Sequence, residues 1–370
     1  MRYLSSAIVS LAFFVGIGIS AAYSETIETS AGPVEVTNVV GDLNTPWAVA
    51  ILESGKYLIT ERDGRIWFVE NGQKRALSGV PEVYAEGQGG LLDIVLARDF
   101  SSTNEVFITY SRPEGRGAGT ALAVAEFDES ARMLRNVRDI FVSNDVSNGG
   151  RHFGSRVVEA NDGTLFLTIG DRGNRPSAQN LSNHNGSVIR VARDGSIPAN
   201  NPDIPGAAEG IYTYGHRNAQ GAALDPSGQL WTVSHGARGG DEINRPEPGR
   251  NYGWPVISYG THYSGLRIGQ GTEAEGMEQP IFFWDPSMAP SGMMIYDGDM
   301  FPQWRGDIFV GSLKFSYISR LDRNGTRING EEELFRDVFS RIRDVREGPN
   351  GEIYFLSVGD GALYRITPAS

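Results

Sequence analysis

No cysteine occurs among the 370 residues, which excludes a disulfide scaffold. Basic residues are in deficit as well: Lys+Arg total 33 against Asp+Glu 45, a net charge of −12. That balance argues against nucleic acid or an anionic membrane as the main partner, while leaving room for a locally basic cleft. Long apolar runs are scarce. Beyond the first two dozen residues no stretch approaches the roughly 18 apolar residues that a membrane span needs, so no stable membrane insertion is expected. A sustained 3.6-residue apolar period is missing too, which leaves strand–helix–strand units unsupported.

What is present suits a globular protein with a large core: 40% hydrophobic residues, 47 Gly, 18 Pro and 14 Tyr. The start of the chain reads as a secretory leader. Arg2 supplies a positive end, residues 4–19 are an apolar run, and Ala22 and Ser24 place small residues ahead of a cleavage point before Glu25. The expected division is a leader over 1–24 and one domain over 25–370. A secreted chain without cysteine points to a bacterial periplasm.

One pattern recurs through that domain: a glycine- or asparagine-bearing turn followed by a short β-branched and aromatic strand. The copies include Gly55-Lys56-Tyr57-Leu58-Ile59-Thr60, Asn104-Glu105-Val106-Phe107-Ile108-Thr109 and Gly163-Thr164-Leu165-Phe166-Leu167-Thr168. Gly228-Gln229-Leu230-Trp231-Thr232-Val233, Gly306-Asp307-Ile308-Phe309-Val310 and Gly351-Glu352-Ile353-Tyr354-Phe355-Leu356 complete the set. Following strands are expected over 65–69, 121–127, 188–192, 317–321 and 362–366. Six copies across residues 25–370 allow about 58 residues each, the size of a four-stranded blade with its loops. The fold expected is therefore all-β, a six-bladed β-propeller. Long insertions such as 194–208 and 246–280 are expected to build the site above the central channel.

In that geometry the residues after each repeated strand emerge near one end of the channel: Glu61 and Arg62, Tyr110 and Arg112, Asp171 and Arg172, His235 and Gly236, Lys314, and Asp360. Four segments carry chemistry. His152, in Arg151-His152-Phe153-Gly154-Ser155-Arg156, precedes Asp171 by 19 residues, and a histidine held by a carboxylate is a competent general base near neutral pH. Arg217, Asn218 and Gln220 lie in one dense hydrogen-bonding run suited to a planar ligand with carboxylates or carbonyls. Residues 234–244 set carbonyls beside Asp241 and Glu242, a hard-oxygen environment without EF-hand spacing. Lys314 with Arg341 and Arg343, which alternate along a strand, makes a cationic cradle for a polyanion.

These segments resemble the soluble pyrroloquinoline quinone (PQQ)-dependent aldose sugar dehydrogenases of the glucose/sorbosone dehydrogenase group. The resemblance spans about residues 43–366 and rests on Thr45-Pro46-Trp47, Thr60-Glu61-Arg62, Gly87-Gln88-Gly89-Gly90, the His152 segment, Gly170-Asp171-Arg172-Gly173-Asn174, Gly215-His216-Arg217-Asn218, Gly239-Gly240-Asp241-Glu242, Tyr252-Gly253-Trp254-Pro255 and Gly311-Ser312-Leu313-Lys314. It implies a six-bladed propeller that oxidises the C1 hydroxyl of aldoses to lactones with PQQ and Ca²⁺. By the same resemblance His152 is the general base, Asp171 supports it, and Arg217 stabilises charge. Gln88, Arg217, Asn218, Gln220, Lys314, Arg341 and Arg343 hold the cofactor. Carbonyls of Gly236 and Ala237 hold one Ca²⁺, and Glu242 and Tyr252 hold a second. Ala237 stands where many relatives carry proline. The implied partners are an aldose and a downstream electron acceptor of unknown identity, with a monomer or homodimer as the assembly. Two other readings share the architecture: a propeller that binds a ligand without catalysis, and a Ca²⁺-dependent lactone hydrolase. The cationic cradle speaks against the hydrolase.

Overall fold

The computed structural model describes residues 24–53 and 55–369. The expected leader over 1–24 lies outside the described residues except for Ser24. Among the described residues, no helix is long and apolar enough to cross a membrane.

The described residues form six antiparallel sheets, five of four strands and one of five. Their innermost strands are Pro46–Glu53, Leu91–Leu96, Val157–Glu159, Ala219–Leu224, Pro290–Ile295 and Ile342–Glu347. Each packs beside the next, and Ile342–Glu347 packs beside Pro46–Glu53, so the ring closes. This is the six-bladed propeller expected from the repeats. All six sequence copies turn out to be the second strand of a blade: Lys56–Glu61, Glu105–Glu114, Leu165–Thr168, Leu230–Ser234, Ile308–Ser312 and Ile353–Ser357. These strands are buried on both faces between neighbouring blades, which is why they read as unbroken apolar runs rather than alternating ones. Leu58, Ile59, Phe107, Trp231, Phe309 and Phe355 are all inaccessible to solvent. Each such side chain stabilises the fold by about 1.5–3 kcal/mol relative to exposure.

The five-stranded blade uses both ends of the described chain. Gly32–Val40 pairs with Ala362–Pro368, with Val34 opposite Pro368 and Val36 opposite Ile366, and Ser24–Thr29 adds the outermost strand.

Inner strands start, and second strands end, at the same mouth of the channel. Third strands therefore run away from that mouth. Of the two insertions expected at the site, 194–208 leaves from the opposite end, after Ser187–Val191, where Arg193 is tied to Asp99, Glu105 and Glu159. The other, 246–280, also departs from the far end but folds back up the blade, bringing Trp254 to Asp171 and His262 to Arg175.

Candidate functional site

A cavity of about 630 Å³ opens at the mouth where the inner strands begin. Its wall takes Trp47, Leu92, Gln220 and Arg343 from the starts of inner strands, and Arg62, His235 and Lys314 from just beyond second strands. Four side chains of the wall are cationic, Arg62, Lys314, Arg341 and Arg343, and none is acidic. In a protein of net charge −12 this is a concentrated exception.

The guanidinium groups strain against one another. Burial and then the Arg341 charge lower the pKa of Arg62. Burial, followed by Arg156, Arg62 and Arg341, pushes Arg343 down to about 9. Arg343 Nη1 donates to Gln220 Oε1 at 3.0 Å, and Lys314 Nζ to the Ser287 carbonyl at 3.3 Å. The buried Nε atoms of Arg62 and Arg217 have no partner among the described residues. Repelling cations with unused donors are the arrangement that a planar polyanion satisfies, so the wall fits PQQ with its three carboxylates. Arg341 reaches the wall less simply than strand alternation implies: it precedes Ile342–Glu347 and sits at φ 52.

Beside this wall stands the His152–Asp171 pair. His152 Nδ1 lies 2.6 Å from Asp171 Oδ1, with the imidazole 13% exposed and the carboxylate fully buried. Burial works against ionisation of Asp171, but His152, the Gly173 N–H at 2.8 Å and the Trp254 indole N–H at 2.8 Å outweigh it and hold its pKa below the ordinary value. For His152 burial dominates; Asp171 opposes it and Arg217 adds to it, and the net pKa lies below 6.5. The stable state is a neutral imidazole donating Nδ1–H to an ionised Asp171, with Nε2 bare. His152 occupies φ 54, a left-handed conformation that costs a non-glycine residue on the order of 1 kcal/mol. Its carbonyl approaches Gly170 so closely that a side chain there would place Cβ 2.3 Å from the His152 carbonyl oxygen.

Gln88 accepts the His152 backbone N–H through Oε1 at 2.7 Å and lines the cavity. Asn218 Oδ1 accepts from the Gly154 N–H at 3.1 Å and from Gln220 Nε2 at 3.3 Å, which links the histidine segment to Arg343 through Gln220. Arg217 is not among the residues lining the cavity, but it sits beside His235 of the wall and its charge acts on His152. Its carbonyl accepts the Asp171 N–H at 2.8 Å, its Nη1 reaches the His235 carbonyl at 3.4 Å, and its guanidinium sits 5.4 Å from the Trp254 ring.

The residues assigned to cations are less gathered. Gly236 N–H donates to Asp241 Oδ1 at 2.8 Å, and the same carboxylate takes Ser287 and the Ala289 N–H, so Asp241 shapes the Gly236–Ala237 turn. Burial, followed by the nearby Asp241 charge, raises Glu242 to about 7 against the pull of Asn244. Tyr252 has its hydroxyl engaged by the Arg245 carbonyl at 2.6 Å and the Glu247 N–H at 3.0 Å. Among the described residues no three carboxylates or histidines cluster as a metal site.

Of the strand-exit residues, Arg62, His235 and Lys314 face the cavity. Glu61 is instead buried and bonded by the exposed Arg65 and the Asn44 N–H, Tyr110 and Arg112 bond Asp139, and Asp360 ties Ser340 to Ser357. Sequence reasoning gave no role to Trp254, whose indole completes the shell of Asp171 from 83 residues away, or to Trp47 in the cavity wall.

Comparison with known proteins places this geometry. The sequence model of the Glucose / Sorbosone dehydrogenase family matches residues 43–365. The chain is 40% identical to the aldose sugar dehydrogenase YliI of Escherichia coli K12, over 93% of this chain and 96% of that protein. It is 28% identical to quinoprotein glucose dehydrogenase B of Acinetobacter calcoaceticus, over 86% and 84% of the two chains. The crystal structure of the soluble aldose sugar dehydrogenase from Escherichia coli, in the apo-form, superposes with a TM-score of 0.87 at 39% identity, covering 91% of this chain and all of that one.

Proposed function

Since the chain belongs to the glucose/sorbosone dehydrogenase family, we propose that it is a periplasmic quinoprotein that oxidises the C1 hydroxyl of aldose sugars to lactones. The carrying observation is the neutral His152, backed by a buried, ionised Asp171, at the edge of a cavity walled by four cations and no acid. PQQ, when bound, supplies the acceptor for the hydride and its two electrons.

The protein's own part is acid–base and positional. His152 Nε2 takes the proton of the C1 hydroxyl, and Asp171 holds the ring in the tautomer that leaves Nε2 free. Arg217 stabilises negative charge developing at the reacting end of the cavity. Lys314, Arg341, Arg343, Asn218, Gln220 and Gln88 hold the cofactor, the cations meeting its carboxylates. The Gly236 and Ala237 carbonyls, on a turn fixed by Asp241, offer the hard oxygen ligands that Ca²⁺ takes. Glu242 and Tyr252 are assigned to a second, structural Ca²⁺, for which the half-buried carboxyl of Glu242, next to Asp241, is the supporting feature. Periplasmic location rests on the leader over residues 1–24.

Reconstitution of the mature protein with PQQ and Ca²⁺, followed by glucose and a dye acceptor, tests the assignment. Dye reduction abolished by chelation and by His152→Ala, with PQQ binding retained in that variant, is the expected result. A native protein that binds no PQQ refutes it.

A further inference from the structure

The channel below the cavity is closed by charge. Four side chains that the functional reading does not use meet there: Arg156, Asp93, Asp344 and Arg346. Arg156 Nη1 lies 3.0 Å from Asp93 Oδ1 and its Nη2 3.0 Å from Asp344 Oδ1. Arg346 reaches the same carboxylates from the other side, at 2.6 Å to Asp93 and 2.9 Å to Asp344. Both carboxylates are fully buried, and the Arg156 side chain is 2% exposed. The order along the channel follows from the strands. Leu92 and Arg343 line the cavity, Asp93 and Asp344 come next, and Ile94 and Arg346 line a second pocket of about 360 Å³ at the opposite mouth. At about 3.3 Å per residue the plug separates the two pockets by roughly 7–10 Å.

Arg156 is the hub of this plug. It enters just ahead of Val157–Glu159 and touches the inner strands of four other blades. Beyond the two aspartates, its Nε donates to the Gln220 carbonyl at 2.7 Å, its Nη2 approaches the Arg343 carbonyl at 3.4 Å, and its guanidinium lies 4.2 Å from the centre of the Trp47 ring. The sixth blade contributes an absence. A Cβ on Gly292 would fall 2.2 Å from Asp344 Oδ1 and 3.0 Å from Arg156 Nη2. Buried ion pairs are poor sources of net stability and are frequently replaceable by apolar groups, so such a costly arrangement calls for a role in geometry. The non-acidic partners of its guanidinium described above, Trp47, Gln220 and Arg343, are all in the cavity wall.

We propose that Arg156, clamped by Asp93 and Asp344, is a positioning residue that fixes Trp47, Gln220 and Arg343 as the floor of the cofactor cavity. The inference rests on the PQQ reading for its ligand but not for its geometry. A lysine at 156 keeps the charge and loses the fork that joins these partners.

Two variants separate positioning from stability: Arg156→Lys, and the charge-balanced pair Arg156→Met with Asp93→Asn, which leaves Arg346 and Asp344 together. Two readouts apply to each: PQQ titration, and hydrogen–deuterium exchange of residues 219–224 and 341–347 without cofactor. The expected result is at least tenfold weaker PQQ binding and faster exchange in those segments, with melting of the charge-balanced variant within a few degrees of native. Unchanged exchange, or native PQQ affinity in the charge-balanced variant, overturns the proposal. A native protein that binds no PQQ counts against the functional reading instead, and the exchange data then decide the clamp alone. If Arg156→Lys does not fold, the charge-balanced variant carries the test.

Discussion

At the scale of single residues, the acid–base pair was legible and its support was not. A histidine 19 positions before an aspartate, each in a glycine-rich loop, is a pattern that sequence can display. The Trp254 indole arrives through an insertion that departs from the far end of its blade, so no spacing rule reaches it. The pair makes a signed prediction. Because the His152 pKa lies below 6.5 in the folded enzyme, the acid limb of kcat/KM falls with its midpoint below 6.5. Asp171 pulls that pKa upward, so Asp171→Asn moves the limb to still lower pH. An amide at 171 also no longer enforces the tautomer with a bare Nε2, so the plateau drops about 100-fold or more. A pH–rate profile of the variant checks both. A limb that moves to higher pH contradicts the arrangement.

At the scale of elements, the six second strands were readable because burial on both faces makes them continuous apolar segments. The blade edges were not, since outer strands such as Arg327–Leu334 are largely exposed and polar. Nor was the closure of the ring, because the partners that seal it lie at opposite ends of the described chain. Closure is where an element-scale prediction belongs. Val34 and Val36 on Gly32–Val40 are fully buried in one core with Phe309, Phe355 and Ile366, whereas Ser24–Thr29 is an edge strand: its Ile27 packs on the outside of that core, and Ser30 just beyond it bonds Glu332 and the Trp304 indole N–H. A chain beginning at residue 31 therefore keeps a closed ring, with melting lowered by a few degrees and PQQ affinity unchanged. A chain beginning at residue 41 exposes one flank of Ala362–Pro368 and loses cooperative unfolding. Thermal scans and PQQ titrations of the two truncations test this, and equal behaviour would mean that ring closure does not depend on the paired strand.

At the scale of the whole molecule, charge is sorted: an acidic surface surrounds one cationic cavity. The burial needed to build the mouth also traps histidines in neutral form. His184 accepts the Asn144 N–H at Nδ1, at 3.0 Å, and lies 3.0 Å from the Glu209 carbonyl at Nε2, a set of partners that fits only a neutral ring. Burial lowers its pKa. His216 is 2% exposed, has its Nε2 at 2.9 Å from the Thr213 hydroxyl and its Nδ1 without a partner among the described residues, and is pushed by burial down to about 3. The sign follows from linkage. Above pH 6.5 these rings are neutral whether the chain is folded or not, and they contribute no pH dependence. Below it the unfolded chain takes up protons that the folded chain refuses, so stability falls as pH falls. For His216 the loss at pH 5 is about 2 kcal/mol, from roughly 1.5 pH units at about 1.4 kcal/mol each. Urea unfolding at pH 7.5 and pH 5 measures it. The native protein is less stable at pH 5, and His216→Phe, which keeps a ring stacked on Tyr252 but cannot titrate, shows a smaller difference between the two pH values by about that amount. If the variant and the native protein lose the same stability on acidification, His216 is protonated in the fold and the neutral-ring account of this mouth fails.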